Sequence, residues 1–338
     1  MKKILVFILL IILSVTVAST FAIWNIALKG NTPGKNVTLY VYPGTSGKVL
    51  SEQLDSANAI LNPWWFKVAS RAFKLNDKVK AGRYIITPAM TNRGLVRMFN
   101  LGLQSPHNLI LSGNIRSMEK LASIISGKIS SDSAKILQTL KDKTLIDSLG
   151  FDKYSFPGMF LLNTYEIYWT SSPKEIVLRL HSEYNKFWNQ ERQQKARDLN
   201  LSPIEVVTLA SIVAEESNIK SEHPVIAGVY INRLKRGIPL QADPTIKYAL
   251  NDPSIKRILY QHLEIDSPYN TYKIKGLPPG PITIPSPSVI DAVLDYSKHN
   301  YLYFCAKPSL DGSHNFASTL SAHNRNARAY QSAISKLK

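Results

Sequence analysis

Ser202–Ser217, SPIEVVTLASIVAEES, is the stretch around which the rest of this 338-residue chain can be read. Ser202, Pro203 and Glu205 spell an S-x-x-E capping box with proline at the first helical position, so a helix begins here. The interior is almost wholly apolar, the composition of a core helix rather than a surface one. It ends in two adjacent carboxylates, which helical spacing separates. Glu216 follows Val213, Ile212 and Leu209 on their apolar face, whereas Glu215 follows Ser211 and Thr208 on a more polar stripe. A carboxyl on the apolar side is expected to hold its proton near neutrality, as a general acid must. The plainer alternative is that Glu216 pairs with a lysine or arginine of a basic protein.

The formal net charge is +17, with 44% hydrophobic residues, enough apolar content for an ordinary core. Such a balance fits nucleic acid, an anionic membrane surface, an anionic cell-wall polymer, or a generally basic surface with no dedicated ligand. No recognised nucleic-acid module appears, and no nucleic-acid partner is expected. Lys2 and Lys3 precede an uncharged run, Ile4 to Leu28, long enough to span a bilayer. The two lysines favour a cytoplasmic N-terminus, with everything after Lys29 outside. A signal peptide cleaved near Thr20-Phe21-Ala22 is the rival reading. Cys305 is the only cysteine, so neither an intramolecular disulfide nor a thiolate metal site can form. Within YLYFCA it reads as a buried strand residue.

Along the chain, Gly30–Lys35 reads as a short polar linker. A strand (37–42), two helices (46–58 and 63–75), a strand (82–87) and a helix (92–101) follow as a small module. A short strand at 109–111 and a helix at 117–125 come next, then a polar, helical stretch to Tyr154. Pro173–Leu199 reads as one long amphipathic helix with a charged end. After the buried helix another runs from about Glu222 to Arg236, stopped by Gly237. From Gln241 to Pro287 the chain is rich in Pro, Gly, Asp, Asn and Tyr, with little periodicity; long irregular segments in a compact domain are usually functional. A helix (288–297), a strand (301–306) and a last helix (319–334) complete the chain.

Gln241, Asp243, Tyr269, Asn270, Thr271 and Tyr272 are suited to sugars, tyrosine faces stacking on rings while amides grip hydroxyls. Ordinary turn chemistry is the alternative for each. Of the seven histidines, His314 and His323 lie nearest to informative sequence; a structural histidine is the first reading of both, with His314 also a candidate substrate contact. There is no P-loop, dinucleotide fingerprint, HExxH or G-x-S-x-G elbow, and neither cofactor nor metal is expected.

The strings ASIVAEES (210–217), VYINRL (229–234), LQADPT (240–245), YNTY (269–272), GLPPGPI (276–282), YLYF (301–304), HNF (314–316) and SAHN (321–324) occur in the order and spacing of a known family. On them the chain resembles the endolytic murein transglycosylases, the MltG or YceG-like family. YPGTSGKVLSEQL and AGRYIITPAMT similarly match that family's LysM-like domain. The resemblance implies an α+β fold: a transmembrane helix (1–28), linker (29–36), LysM-like α/β module (37–104), connecting subdomain (105–172) and mixed α+β catalytic domain with a loop-rich cleft (173–338). It implies that Glu216 is the catalytic acid/base, and it adds Asn232 and Thr245 to the loop residues and His314 as substrate-binding candidates. Two departures stand out. Ala214 occupies a position where the family commonly has a glutamate, and FLLNTYE carries Leu162 where a proline is frequent.

The implied activity is a lytic transglycosylase, a carbon–oxygen lyase cutting nascent peptidoglycan strands between MurNAc and GlcNAc. It would leave 1,6-anhydro-MurNAc ends and terminate elongation. One carboxyl suffices, whereas ordinary glycosidases need two. Asp243 as a second carboxylate keeps hydrolysis open, and a non-catalytic glycan-binding scaffold for cell-wall synthases is a further alternative. The implied partners are glycan strands, the membrane and peptidoglycan synthases (penicillin-binding proteins). With the apolar run as anchor and Lys2 and Lys3 on the cytoplasmic side, the expected place is the cell (inner) membrane, single-pass, with the catalytic domain periplasmic or otherwise extracytoplasmic.

Overall fold

The computed structural model describes residues 2–252, 254–255 and 257–336. Met1, Pro253, Lys256, Leu337 and Lys338 lie outside the described residues, and with them the ends of the expected segments 1–28 and 173–338 and two positions of the 241–287 stretch. The chain forms two compact units: Met1–Asn108 with Lys128–Ser130 and Glu166–Ser171, and Leu109–Gly127 with Ser131–Tyr165 and Ser172–Lys338.

The smaller unit opens with α1 (Lys2–Ile23), which has no buried residue. With the turn after it, α1 is long and apolar enough to cross a membrane. Then come β1 (Val37–Val41), α2 (Gly47–Ser56), α3 (Pro63–Ala72), β2 (Gly82–Ile86) and α4 (Asn92–Leu101). The three helices after β1 each begin at a side-chain cap: Ser46, Asn62 and Thr91 accept from the N–H of Val49, Trp65 and Gly94. β1 and β2 pair antiparallel, Val37 opposite Ile86 and Val41 opposite Gly82. Leu50, Leu54, Phe66, Tyr84, Ile86, Leu95 and Phe99 fill the core between strands and helices. Gly30–Lys35, expected as a linker, is partly built in: Asn31 and Thr32 are buried.

The remaining elements are β3 (His107–Ile110), α5 (Met118–Ser126), α6 (Ser133–Leu140), α7 (Lys143–Ser148), β4 (Thr164–Ile167), α8 (Pro173–Phe187), α9 (Gln190–Asp198), α10 (Pro203–Glu216), α11 (His223–Lys235), α12 (Asp243–Leu250), α13 (Pro287–Leu294), β5 (Tyr303–Ala306), β6 (His314–Ala317) and α14 (Leu320–Ser335). α10 is the centre of the larger unit. Every residue from Val206 to Val213 is buried, and α9, α11, α12 and α13 pack around it. Its capping box forms as the sequence predicts, Glu205 Oε2 accepting from the Ser202 N–H at 2.7 Å and Ser202 Oγ from the Glu205 N–H at 3.3 Å. Deep in this helix, Ser211 Oγ accepts from the Ile282 N–H at 3.0 Å and so anchors the GLPPGPI strap. A Cβ on Gly280 of that strap would lie 1.9 Å from the Tyr154 carbonyl oxygen, so only glycine fits.

Several expectations need correction. The helix expected over 173–199 is two, α8 and α9. Trp188 turns into the core at 3% exposure, and Asn189 caps a new helix by accepting from the Arg192 N–H at 3.0 Å. The charged run NQERQQKARD has no apolar stripe to continue α8, and Arg192 instead clamps Asp291 of α13 through two bonds of 2.7 and 3.0 Å. The irregular stretch after Gln241 contains α12, because Asp243-Pro244 starts a helix there instead of a turn. β6 was not foreseen; it pairs antiparallel with β5, Tyr303 opposite Ala317. Cys305, in β5, is only half-buried.

Candidate active site

α10 delivers its last two residues in opposite directions. Glu215 accepts from Asn114 Nδ2 at 2.6 Å and forms an ion pair with Arg116, its side chain only 12% exposed. Asn114 in turn accepts from Thr283 Oγ1 at 3.0 Å. Glu215 is thus a structural carboxylate that ties the end of α10 to the strap. Ser217, the residue after the helix, is extended, and the chain turns away beneath Glu216.

Glu216 faces a pocket of about 330 Å³, lined also by Tyr230 and Arg233 of α11, Leu240, Gln241, Asp243, Tyr272, Tyr303, Phe304, Leu320 and His323. Burial pushes the Glu216 carboxyl up from 4.5 to about 7; the negative charges of Asp243 and Glu215 push the same way, while the Tyr230 hydrogen bond and Lys247 oppose. Tyr230 Oη donates to Glu216 Oε1 at 2.5 Å. Burial and the neighbouring carboxylate raise the Tyr230 phenol well above its ordinary value, so it stays a donor. No lysine or arginine pairs with Glu216 among the described residues, which removes the plainer reading of its burial.

Arg233, one turn beyond Tyr230 on α11, builds a further part of the wall. Its Nε donates to the Leu302 carbonyl at 2.7 Å, and Nη1 to the carbonyls of Pro239 and Leu240 at 3.0 Å and to Gln241 Oε1 at 3.1 Å. The guanidinium also lies over the Tyr303 ring, 5.2 Å from its centroid. Arg233 thereby fixes both the 239–241 segment and the start of β5. Gln241 is held at φ +52°, a left-handed backbone that costs a non-glycine residue free energy and marks an over-determined position. Asp243, at the first turn of α12, accepts from Tyr272 Oη at 2.6 Å. Burial, then the Asp243 bond and charge, raise the Tyr272 phenol. His323, from α14, stacks on Tyr303 with ring centroids 5.4 Å apart. Burial lowers its pKa, helped by the charge of Arg233.

Of the residues singled out from sequence, Glu216, Gln241, Asp243 and Tyr272 meet at this pocket. The others do not line it. Asn270 and Thr271 are fully buried; Asn270 Nδ2 donates to the carbonyls of Leu263 and Ile265 at 2.8 Å. Thr271 Oγ1 shares a 2.8 Å bond with Thr245 Oγ1 and accepts from the Ala242 N–H at 3.0 Å, which sets the entry to α12. Tyr269 packs on Tyr248 at 4.7 Å. Asn232 Nδ2 donates to the carbonyls of His299 and Tyr301 at 2.7 and 3.0 Å. His314 meets Glu222 twice, Nδ1 to Oε2 at 2.7 Å and N–H to Oε1 at 2.8 Å. Burial raises the Glu222 carboxyl, but these two bonds and one from Ser217 outweigh it and leave it lowered.

Tyr230, Arg233, Tyr303 and Phe304 were not singled out individually, although each falls inside a recognised string; His323, expected from sequence as a structural histidine, lines the pocket. One signal could have found the first two: a phenol and a guanidinium spaced one turn apart within the mostly apolar IAGVYINRL, where buried polar groups need a reason.

Three comparisons agree. A model of the YceG-like family matches residues 39–329. A Bacillus subtilis (strain 168) protein named endolytic murein transglycosylase is 28% identical over 316 residues, covering 88% of this chain and 85% of its own. A Streptococcus pneumoniae protein (serotype 2, strain D39) of the same name is 25% identical, covering 86% of this chain and 58% of its own. The crystal structure of a YceG-like protein from Listeria monocytogenes superposes with a TM-score of 0.58 at 27% identity, covering 87% of this chain and 99% of that one. With the family model spanning both units and the pocket inside the matched region, the chain belongs to the YceG-like family.

Proposed function

We propose that this protein is an endolytic lytic transglycosylase of peptidoglycan, with Glu216 as its one acid/base. The carrying observation is that one of the two carboxyls lining a polar pocket, Glu216, is raised to about 7 by burial and hydrogen-bonded by a tyrosine. The names of the B. subtilis and S. pneumoniae relatives support the substrate and reaction.

Protonated Glu216 donates to the glycosidic oxygen between MurNAc and GlcNAc, and the C1–O bond breaks towards an oxocarbenium-like sugar. The resulting carboxylate takes the proton of that MurNAc's 6-hydroxyl, whose oxygen bonds to C1. The product ends in 1,6-anhydro-MurNAc, Glu216 is protonated again, and no water is consumed. The nucleophile is internal to the sugar, which removes much of the entropic cost of bringing it to C1.

Asp243 has two roles in this account. Its charge favours the protonated form of Glu216 before reaction, and it stabilises positive charge at C1 during reaction. Tyr230 steadies the carboxylate formed by the first proton transfer. Gln241, Asp243 and Tyr272 touch the glycan directly. Asn232, Thr245, Tyr269, Asn270, Thr271 and His314 hold the walls that position them.

The helix α1 serves as a retained single-pass anchor, with the catalytic unit outside the membrane where nascent strands emerge. The strand–helix–helix–strand module is LysM-like, and the chain acts beside peptidoglycan synthases to terminate elongation. Glu216→Gln in the full chain should abolish cleavage of peptidoglycan while keeping the thermal unfolding transition cooperative. Substantial turnover by that variant would sink the assignment.

A further inference from the structure

The junction between α1 and the small module is rigidly bonded. The Lys29 N–H donates to the Trp24 carbonyl at 2.8 Å, closing a wide last turn. Asn25, buried there, offers its carbonyl to Asn92 Nδ2 at 3.0 Å, and Asn92 Oδ1 accepts from Asn31 Nδ2 at 2.8 Å. The Asn31 backbone donates to the Met90 carbonyl and accepts from the Leu61 N–H, both at 2.8 Å. Thr32 Oγ1 adds a bond to the Thr87 carbonyl at 2.8 Å. Buried polar groups satisfied in this way specify one arrangement, so α1 has a fixed direction relative to the module.

The length of α1 sets a level. Its 22 residues rise about 33 Å at ~1.5 Å each, close to the ~30 Å hydrocarbon thickness of a bilayer. With Lys2 and Lys3 at one interface, Phe21 and Trp24 arrive at the other. The module brings more aromatic surface to that level. Trp65 meets Phe21 edge-on with centroids 5.9 Å apart, and Trp64 meets Trp65 at 4.5 Å. Trp24, Leu61 and Trp64 are 53%, 67% and 61% exposed, and Lys29 lies exposed beside them. Single exposed apolar residues need no explanation. Here side chains from the end of α1 and the start of α3 touch, with the last turn of α1 packed against α3, at the end of the apolar run, where tryptophan is favoured in lipid headgroups and lysine meets phosphate.

We propose that Trp24, Leu61, Trp64 and Trp65 form a membrane-seating patch that holds the small module against the outer surface of the bilayer. The occupant is the lipid surface itself, because the patch is continuous with the helix that enters it. The module therefore has one orientation to the membrane and does not swing on a tether. This rests on reading α1 as a retained anchor.

The test uses the full chain carrying Cys305→Ser and one added cysteine for a fluorescent label, reconstituted in phosphatidylethanolamine–phosphatidylglycerol vesicles. The added cysteine is Leu61→Cys or Trp64→Cys in the patch, Val15→Cys in α1, or Lys80→Cys just before β2, at the end of the strand pair away from Thr87. Spin-labelled lipids quench at headgroup or acyl depth. The proposal expects loss of emission at both patch positions with headgroup-level quenchers, at Val15 with acyl-level quenchers, and none at Lys80. Unquenched patch labels with a quenched Val15 would overturn the patch and leave the anchor standing. An unquenched Val15 label would remove the anchor reading, and the patch with it. Protection of the patch only on adding another protein, with no response to lipid, would also overturn it.

Discussion

Replacing Tyr230 by phenylalanine should move the alkaline limit of activity upward. In the wild type a general acid raised to about 7 makes the rate fall as pH passes through that value. Tyr230 Oη donates to Glu216 Oε1 at 2.5 Å, and that bond stabilises the ionised form. A hydrogen bond to a charged group contributes about 1.5–3 kcal/mol, or about 1–2 pKa units at ~1.4 kcal/mol each. The limb should therefore move to roughly pH 8–9 in Tyr230→Phe. The plateau rate should fall too, because the carboxylate formed at bond cleavage loses its donor. Asp243→Asn removes a negative charge that raises Glu216 and should move the limb downward. The assay is initial rate against pH on solubilised glycan strands, wild type and both variants side by side. An unmoved limb in both, or a downward shift in Tyr230→Phe, would refute the assignment of Glu216 as the titrating acid.

Other consequences can be measured separately. Glu216 is a carboxylic acid with a folded pKa raised from 4.5 to about 7, so the folded state binds the proton more tightly than the unfolded chain. Stability is therefore undiminished below about pH 4.5, declines between there and about 7, and is flat above, with a total loss of at most ~3–4 kcal/mol. Glu216→Gln should remove this loss, raising the Tm relative to wild type at pH 8 but not at pH 4, as calorimetry can check. Arg116→Ala leaves Glu215 without its ion-pair partner at the end of α10 and should lower kcat more than it raises KM, with the pH limb changed little. Gly280→Ala places a methyl group 1.9 Å from the Tyr154 oxygen and should destabilise the larger unit by about 3 kcal/mol or more in denaturant titration. Glu222→Gln should weaken the hold on His314 and lower stability by about 1–3 kcal/mol at neutral pH.

Much of the geometry around Glu216 was legible because α10 is locally consistent. Cap, apolar core and terminal carboxylates all point to one helix, and its spacing alone placed Glu216 and Glu215 in different surroundings. The loop residues were harder. Asn270, Thr271 and Thr245 carry the groups a sugar site would use, but a long loop needs those same groups to satisfy its own buried backbone. Composition cannot separate the two demands; tertiary hydrogen bonding does. Asp243-Pro244 is ambiguous in the same way, since a proline that ends one element can begin another. α8 and α9 looked continuous because both are helical by propensity; the burial of Trp188 and the Asn189 cap divide them. Tyr303, Phe304 and His323 come from far along the chain, so their approach to Glu216 is a property of packing and not of any local pattern.

The central claim is best tested by mass spectrometry of the fragments released from peptidoglycan by the full chain in ¹⁸O-labelled water, with Glu216→Gln in parallel. The account predicts fragments one water lighter than reducing-end sugars, carrying no ¹⁸O, and absent with the variant. Reducing ends labelled with ¹⁸O would contradict it and establish hydrolysis, with Asp243 as the base to examine.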